Sequence, residues 1–116
     1  MFTGCKSQPN EEVYISDFYN IHEEYKDAWG NVGKYDISLP YIHCDSKSAK
    51  KLNQTIKNEY KDLVDSLDEA KEEGYTLPYT KISYDVYTHS NLLSLVIKEE
   101  VETEYPRYKV YHFDSK

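Results

Sequence analysis

Apolar residues recur at steps of three or four through the middle of the chain, which is the spacing of one face of an α-helix. The apolar positions of this stretch are Ala49, Leu52, Ile56, Tyr60, Leu63, Leu67 and Ala70. Asp45 or Ser46 is suited to cap the N-terminus, and Gly74 is a natural residue to follow the C-terminus. The pattern predicts one long amphipathic helix over residues 46–73.

The predicted helix has a length and a charge pattern that set conditions on how it is stabilised. At about 26 residues it spans roughly 39 Å, more than the roughly 34 Å diameter expected of a compact domain of this chain length. Lysines lie near its positive end and acids near its negative end, which opposes the helix dipole. We therefore expect packing to hold the helix, which either crosses the whole domain or projects or frays in its last turns.

Two strands are predicted before the helix. Residues 13–19 are rich in β-branched and aromatic side chains, and residues 34–42 carry apolar side chains on one face. The polar stretch 22–33 contains Trp-Gly-Asn-Val-Gly, which is typical of a loose hairpin connection. Pro40 cannot donate to a ladder hydrogen bond, so we expect it at a sheet edge or a bulge.

Three further strands are predicted after the helix. Apolar and polar residues alternate over 82–86, the run 92–101 is the most apolar and reads as the central strand, and 107–113 follows Pro106. Short loops favour an antiparallel meander, although parallel pairing through the helix is also possible. The predicted fold class is α+β, with the helix packed on a mainly antiparallel sheet of about five strands.

Composition limits the domain count and the class of partner. The chain has 116 residues, a formal net charge of -7 and 30% charged residues, which fits one domain over residues 13–116 after a tether. An acidic protein with no local basic cluster repels a phosphate backbone, so nucleic acid is not an expected ligand. The same charge would attract a cationic protein, and it also serves solubility alone.

The N-terminus resembles a processed lipoprotein. Residues 2–5 read Phe-Thr-Gly-Cys, the shape of a bacterial lipobox end in which Cys5 would be acylated, and residues 6–12 form a polar tether. No apolar run is long enough to span a bilayer, so membrane attachment would rest on a lipid at Cys5. A disulfide between Cys5 and Cys44 in an oxidising compartment is the alternative, and acylation would exclude it.

No arrangement of reactive residues predicts catalysis, a metal site or a cofactor. His43, Cys44 and Asp45, with His89 or His112, are conceivable metal ligands, but adjacent strand residues point to opposite faces. Nothing in the sequence activates Cys44 as a thiol nucleophile. Among 21 acidic residues, a carboxylate pair for hydrolysis cannot be selected, and no glycine-rich phosphate loop is present.

Tyrosine is the unusual residue of this composition, at thirteen copies against one tryptophan and three phenylalanines. Its ring has a broad apolar face and a polar tip, which suits a protein interface or a platform for sugar rings as well as a filled sheet. Several tyrosines fall on or beside the C-terminal strands. The candidate partner-binding surface consists of Tyr87, Tyr105, Tyr108 and Tyr111.

Four stretches together resemble the PdaC/RsiV-like domain of Gram-positive cell-envelope proteins. They are residues 37–42 (Ile-Ser-Leu-Pro-Tyr-Ile), 49–56 (Ala-Lys-Lys-Leu-Asn-Gln-Thr-Ile), 91–97 (Asn-Leu-Leu-Ser-Leu-Val-Ile) and 108–114 (Tyr-Lys-Val-Tyr-His-Phe-Asp). The resemblance implies a domain outside the membrane, of largely undefined function, that accompanies a peptidoglycan deacetylase module or a lysozyme-sensing anti-sigma factor. It includes no deacetylase catalytic residue and therefore implies a non-enzymatic protein.

The chain departs from that family in two places. Residues 103–107 read Thr-Glu-Tyr-Pro-Arg where many relatives carry a Gly-Ala-His turn, and the sequence stops at 114–116 where relatives continue into a second domain. The leading hypothesis is a lipid-anchored or secreted envelope module that binds cell-wall glycan or a cationic protein such as lysozyme. The alternatives are a ligand-free spacer that positions a neighbouring module, and a hydrolase with unrecognised carboxylates.

Overall fold

The computed structural model describes residues 14–102 and 104–114 as one helix and a five-stranded sheet in the order β1-β2-β3-β4-β5. The elements are β1 (Tyr14–Lys26), β2 (Val32–His43), α1 (Lys47–Glu73), β3 (Thr80–His89), β4 (Leu92–Val101) and β5 (Arg107–Asp114). All neighbouring strands are antiparallel except β2 and β3. The predicted α+β class with a mainly antiparallel sheet is confirmed.

Helix α1 begins and ends where its capping residues predict. The Ser46 hydroxyl accepts a hydrogen bond from the backbone N–H of Ala49 at 3.2 Å, and Gly74 follows the last turn with φ of 83°. There is no acidic residue in the first turn, and Lys71 is the basic residue of the last. Packing therefore stabilises this helix, since its charges do little to complement the dipole.

Of the two alternatives for the helix, the one in which its last turns project or fray is wrong. Leu67 and Ala70 are fully buried, and Lys71 forms an ion pair with Glu23 of β1. The molecule is elongated, with extents of 57 × 26 × 20 Å, so the diameter of a compact domain was the wrong reference length. A helix of about 40 Å fits along the long axis.

The first strand is longer, and the first hairpin tighter, than the sequence predicts. β1 runs on to Lys26, because the turn is closed locally by Asp27, whose carboxylate accepts backbone N–H bonds from Trp29 and Asn31 at 2.9 Å each. Burial alone would raise the pKa of Asp27, but these bonds and one from Thr76 outweigh it and lower the pKa. Gly30 supplies the positive φ that the turn requires.

The parallel pairing that the sequence left open exists, but it is short. β2 and β3 pair only from Tyr35 opposite Thr80 to Ile37 opposite Ile82, after the chain has crossed over through α1. At the far end of β2 the helix takes the place of a strand partner. The side chain of Asn53 accepts from the Ile42 N–H at 2.8 Å and donates to the Ile42 carbonyl at 2.9 Å.

The hydrophobic core lies between α1 and one face of the sheet. Its fully buried members include Ile37 and Leu39 of β2, Ile56 of α1, and Leu95 and Ile97 of β4. The prediction that residues 92–101 form the central strand is wrong, since β3 is the middle strand of the five and β4 lies between β3 and β5. Pro40 lies opposite Asp17 beside an irregularity in β1, in agreement with the predicted position at a bulge.

Candidate functional site

The three C-terminal strands carry a regular set of side chains on the side turned away from α1. Antiparallel partners share a face, and burial alternates along each strand, so these side chains form three rows across the sheet. We call this set the open face. Its rows are Ser83–Lys98–Tyr108, Asp85–Val96–Val110 and Tyr87–Ser94–His112.

Two of the predicted tyrosines stand at opposite corners of the open face. Tyr87 is 60% exposed and Tyr108 is 62% exposed. They are four residues apart along β4, at Ser94 and Lys98, and two strands apart across the sheet, which corresponds to about 16 Å from the strand spacing and the rise per residue. A ligand that touches both rings must be longer than one sugar ring.

Polar groups lie between the two rings. Ser94 Oγ and His112 Nδ1 are hydrogen-bonded at 2.9 Å, and the Lys98 ammonium stands 5.7 Å from the centre of the Tyr108 ring. Val110 between them is 55% exposed. The open face therefore combines exposed rings, an apolar floor and hydrogen-bonding groups, with one cation and one carboxylate among its nine side chains.

The other two predicted tyrosines are not on this face. Tyr105 lies in the connection between β4 and β5 and is 92% exposed. Tyr111 lies on the helix-covered side, where its hydroxyl donates to Glu59 Oε1 at 2.5 Å. Burial and that carboxylate raise the pKa of Tyr111. The predicted group of four therefore separates into two rings on the open face, one in a loop and one under the helix.

A charge network lines the cleft of about 450 Å³ between α1 and the adjoining ends of the last three strands. The buried Glu99 carboxylate accepts a hydrogen bond from Tyr60, and it pairs with Lys109 at 3.3 Å and Arg107 at 3.4 Å. Lys109 also reaches Glu59 at 3.5 Å. Both carboxylates are thus bound by a cation and a tyrosine hydroxyl, and removing a partner of the buried Glu99 would leave its charge uncompensated.

The reactive residues considered from the sequence are also placed by the structure. Within residues 14–102 and 104–114, no group of three His, Cys, Asp or Glu side chains could hold a metal ion. His43 instead bonds Ser16 at 2.7 Å and its ring contacts Tyr14 and Tyr41. Cys44 is not a free thiol, so it offers no thiol nucleophile in this structure. Cys5 and the predicted tether lie outside the described residues.

Comparison with protein-family models and curated proteins assigns no family to this chain, because neither search found a match. The resemblance to the PdaC/RsiV-like domain therefore stays a prediction. In the part of the chain that the structure describes, no helix has the length and apolarity needed to span a bilayer.

One signal in the sequence separates Tyr108 from Tyr111. The two residues are three apart in one strand, so period-two alternation places them on opposite faces, and Phe113 marks the covered one. A second aromatic group was missed altogether. Tyr14, Tyr41 and His43 meet across β1 and β2, because a hairpin register brings together residues that are far apart in the chain.

Proposed function

We propose that this protein is a non-enzymatic, extracytoplasmic binding module that holds a cell-wall glycan chain on its open face. The observation that carries the proposal is the pair of exposed rings, Tyr87 and Tyr108, on a sheet face that none of the described elements covers. Aromatic rings offer flat apolar surfaces to the C–H faces of sugars, and their hydroxyls bond sugar hydroxyls.

Charge favours a glycan over a polyion on this face. The nine side chains of the three rows include one cation, Lys98, which pairs with Glu100 at 3.7 Å, and one carboxylate, Asp85, whereas the chain as a whole carries a net charge of -7. The binding energy would therefore come from ring contact and hydrogen bonds, which salt screens weakly in comparison with charge pairs between exposed groups.

The state of Cys44 favours an extracytoplasmic location. Cys44 is disulfide-bonded, and disulfides persist in oxidising compartments. Cys5 is the other cysteine of the sequence, so a bridge within the chain and acylation of Cys5 exclude each other. The intact mass of the protein from its native host shows whether Cys5 carries a lipid. A gain of two hydrogens in mass on reduction shows a disulfide instead. Two free thiols and no lipid would contradict both the lipid-anchored form and the disulfide-bonded form of the proposal.

Co-sedimentation with purified peptidoglycan, stripped of its anionic polymers, tests the glycan assignment. We expect the wild-type protein to be retained at low and at high salt. The double variant Tyr87→Ser/Tyr108→Ser should lose affinity by about tenfold or more, since buried aromatic anchors dominate such interfaces.

Tyr105→Ser is the matched control, because it removes a still more exposed tyrosine that lies off the open face. Its retention should equal that of the wild type. If the wild-type protein is not retained at low salt, or if the double variant binds as the wild type does, the glycan assignment is wrong.

A cationic protein is the second candidate partner, favoured by a different surface. The C-terminal half of α1 exposes six acids, and it carries two lysines that are already paired with Asp65 and Glu23. The acids are Asp62, Asp65, Asp68, Glu69, Glu72 and Glu73. Binding to lysozyme that weakens steeply with salt would support this candidate. Retention on neither peptidoglycan nor lysozyme would leave the spacer hypothesis.

A further inference from the structure

A β-bulge in the edge strand β1 places one aromatic residue out of register. Phe18 is the extra residue between the Asp17–Pro40 pair and the Tyr19–Leu39 pair. The bulge is fixed by two bonds to the Asp17 carboxylate, from the Tyr84 hydroxyl at 2.5 Å and the Asn20 amide at 2.9 Å. Bulges re-aim side chains and are frequent beside functional sites.

Phe18 lines a pocket of about 350 Å³ between β1, β2 and the first half of α1. Tyr41 of β2 provides a second ring, and both rings are partly exposed at 38% and 42%. The helix side of the pocket is formed by Lys50, Asn53, Gln54 and Lys57. These four residues stand at i, i+3, i+4 and i+7, which places them along one stripe of the helix.

The pocket is rigid where it meets the sheet. Asn53 is held on both sides of its amide by the backbone of Ile42, so the helix stripe and the strand that carries Tyr41 keep a fixed relation. Preorganised walls reduce the entropy that a ligand loses on binding.

The two lysines of the pocket carry positive charge that no ion pair offsets within residues 14–102 and 104–114. Among the described residues, no carboxylate forms an ion pair with Lys50 or Lys57, and both side chains are exposed. Lysines that do form ion pairs are Lys61, Lys71, Lys98 and Lys109. In a chain of net charge -7, two ammonium groups beside two rings make a local site of the opposite sign.

We propose that this pocket binds an acidic sugar unit, separate from the glycan on the open face. The sugar ring lies against Phe18 and Tyr41, and its carboxylate or phosphate is bound by Lys50 and Lys57, with Gln54 as a further hydrogen-bonding group at the rim. Lysine binds such anions as a point charge and accepts either group. A site that contacts both the sugar ring and its anionic group should bind acidic sugars more tightly than neutral glycans or free anions.

Calorimetric titration of the full chain with a trigalacturonate oligomer tests this site, with maltotriose, a hexose phosphate and inorganic phosphate as parallel ligands. We expect trigalacturonate to bind at least tenfold more tightly than maltotriose, and the hexose phosphate more tightly than inorganic phosphate. Lys50→Ala/Lys57→Ala should weaken trigalacturonate binding at least tenfold. Tyr41→Ala should weaken the sugar ligands without changing the weak affinity for inorganic phosphate.

Lys47→Ala/Lys51→Ala is the matched control, since it makes the same change in net charge on the same helix and neither residue lines the pocket. It should weaken binding clearly less than Lys50→Ala/Lys57→Ala does, because neither lysine lines the pocket and both act on the ligand only through screened long-range attraction. An equal loss in both double variants, equal binding of phosphate with and without the sugar, or no binding of trigalacturonate would each overturn the proposal. Retention on peptidoglycan should not change in Lys50→Ala/Lys57→Ala, which separates this site from the open face.

Discussion

Leu92 and Leu93 are neighbours in β4 with identical side chains and opposite surroundings. Leu93 is 2% exposed and packs in the core under α1 beside Phe113, whereas Leu92 is 44% exposed beside the open face. The same contrast runs through the whole meander. On the covered side are the buried side chains of Leu95, Ile97 and Glu99, and on the open side are Tyr87, Tyr108 and Val110.

The contrast shows that the two faces of the same strands have different roles. Covered side chains stabilise the fold, so changes there alter the free energy of unfolding. Open side chains are exposed and contribute little to it. A function that rests on the open face can therefore be tested by substitutions that leave the fold intact.

The largest expected effect is the difference between the two leucines. Leu93→Ala should lower the free energy of unfolding by about 2–5 kcal/mol, because it removes buried methyl groups and leaves a cavity. Leu92→Ala should change it by less than about 0.5 kcal/mol. Urea denaturation of both variants measures the difference. Equal losses in the two variants would mean that the open face is covered in solution.

A smaller difference is expected between polar groups on the two sides. Tyr60→Phe removes a hydrogen bond to the buried Glu99 carboxylate and should cost about 1.5–3 kcal/mol of unfolding free energy. Ser94→Ala removes the bond to His112 on the open face and should cost less than about 0.5 kcal/mol. Thermal and urea denaturation at neutral pH compare the two. If Tyr60→Phe leaves the free energy of unfolding unchanged, Lys109 and Arg107 are sufficient to compensate the Glu99 carboxylate without Tyr60.

The smallest effect concerns alkaline pH. Burial and the bond to Glu99 raise the pKa of Tyr60 above its ordinary value of 10.0, so the folded state keeps a proton that the unfolded state loses. The stability that this contributes is complete below pH 10 and falls as the pH rises further, by about 1.4 kcal/mol per pH unit for one group.

Urea denaturation between pH 9 and 11 measures this slope in the wild-type protein and in Tyr60→Phe, with Ser94→Ala as a control without an ionisable change. Tyr60→Phe should lose stability less steeply with pH than the other two proteins. Parallel slopes in all three would show that Tyr60 ionises as readily in the folded state as in the unfolded chain.

Local patterns predicted the helix more accurately than the first hairpin. Ser46 and Gly74 confirm the two predicted ends of α1, because capping depends on residues within one turn of the helix. β1 was predicted too short because its second half is polar. Polar residues form a strand here because β1 is an edge strand that pairs only with β2. The Asp27 side chain closes the turn between the two strands.

The sites were predicted less well than the fold, for a reason visible in particular residues. Alternation within β5 is enough to separate Tyr108 from Tyr111, but it cannot show that Tyr87 shares a face with Tyr108, because that depends on the pairing of β3 and β5 with β4. Lys50 was visible as part of a charged helix end, but its position in one pocket with Phe18 and Tyr41 was not.

The sequence by itself determined the helix, its caps, most strand positions and the acidic charge, since these depend on periodicity and on neighbours a few residues away. Only the tertiary structure decided the parallel pairing of β2 with β3, the docking of Asn53 on Ile42, and the grouping of rings and lysines around the bulge at Phe18. Those contacts join residues from separate elements, and their register and packing are set by the assembled core.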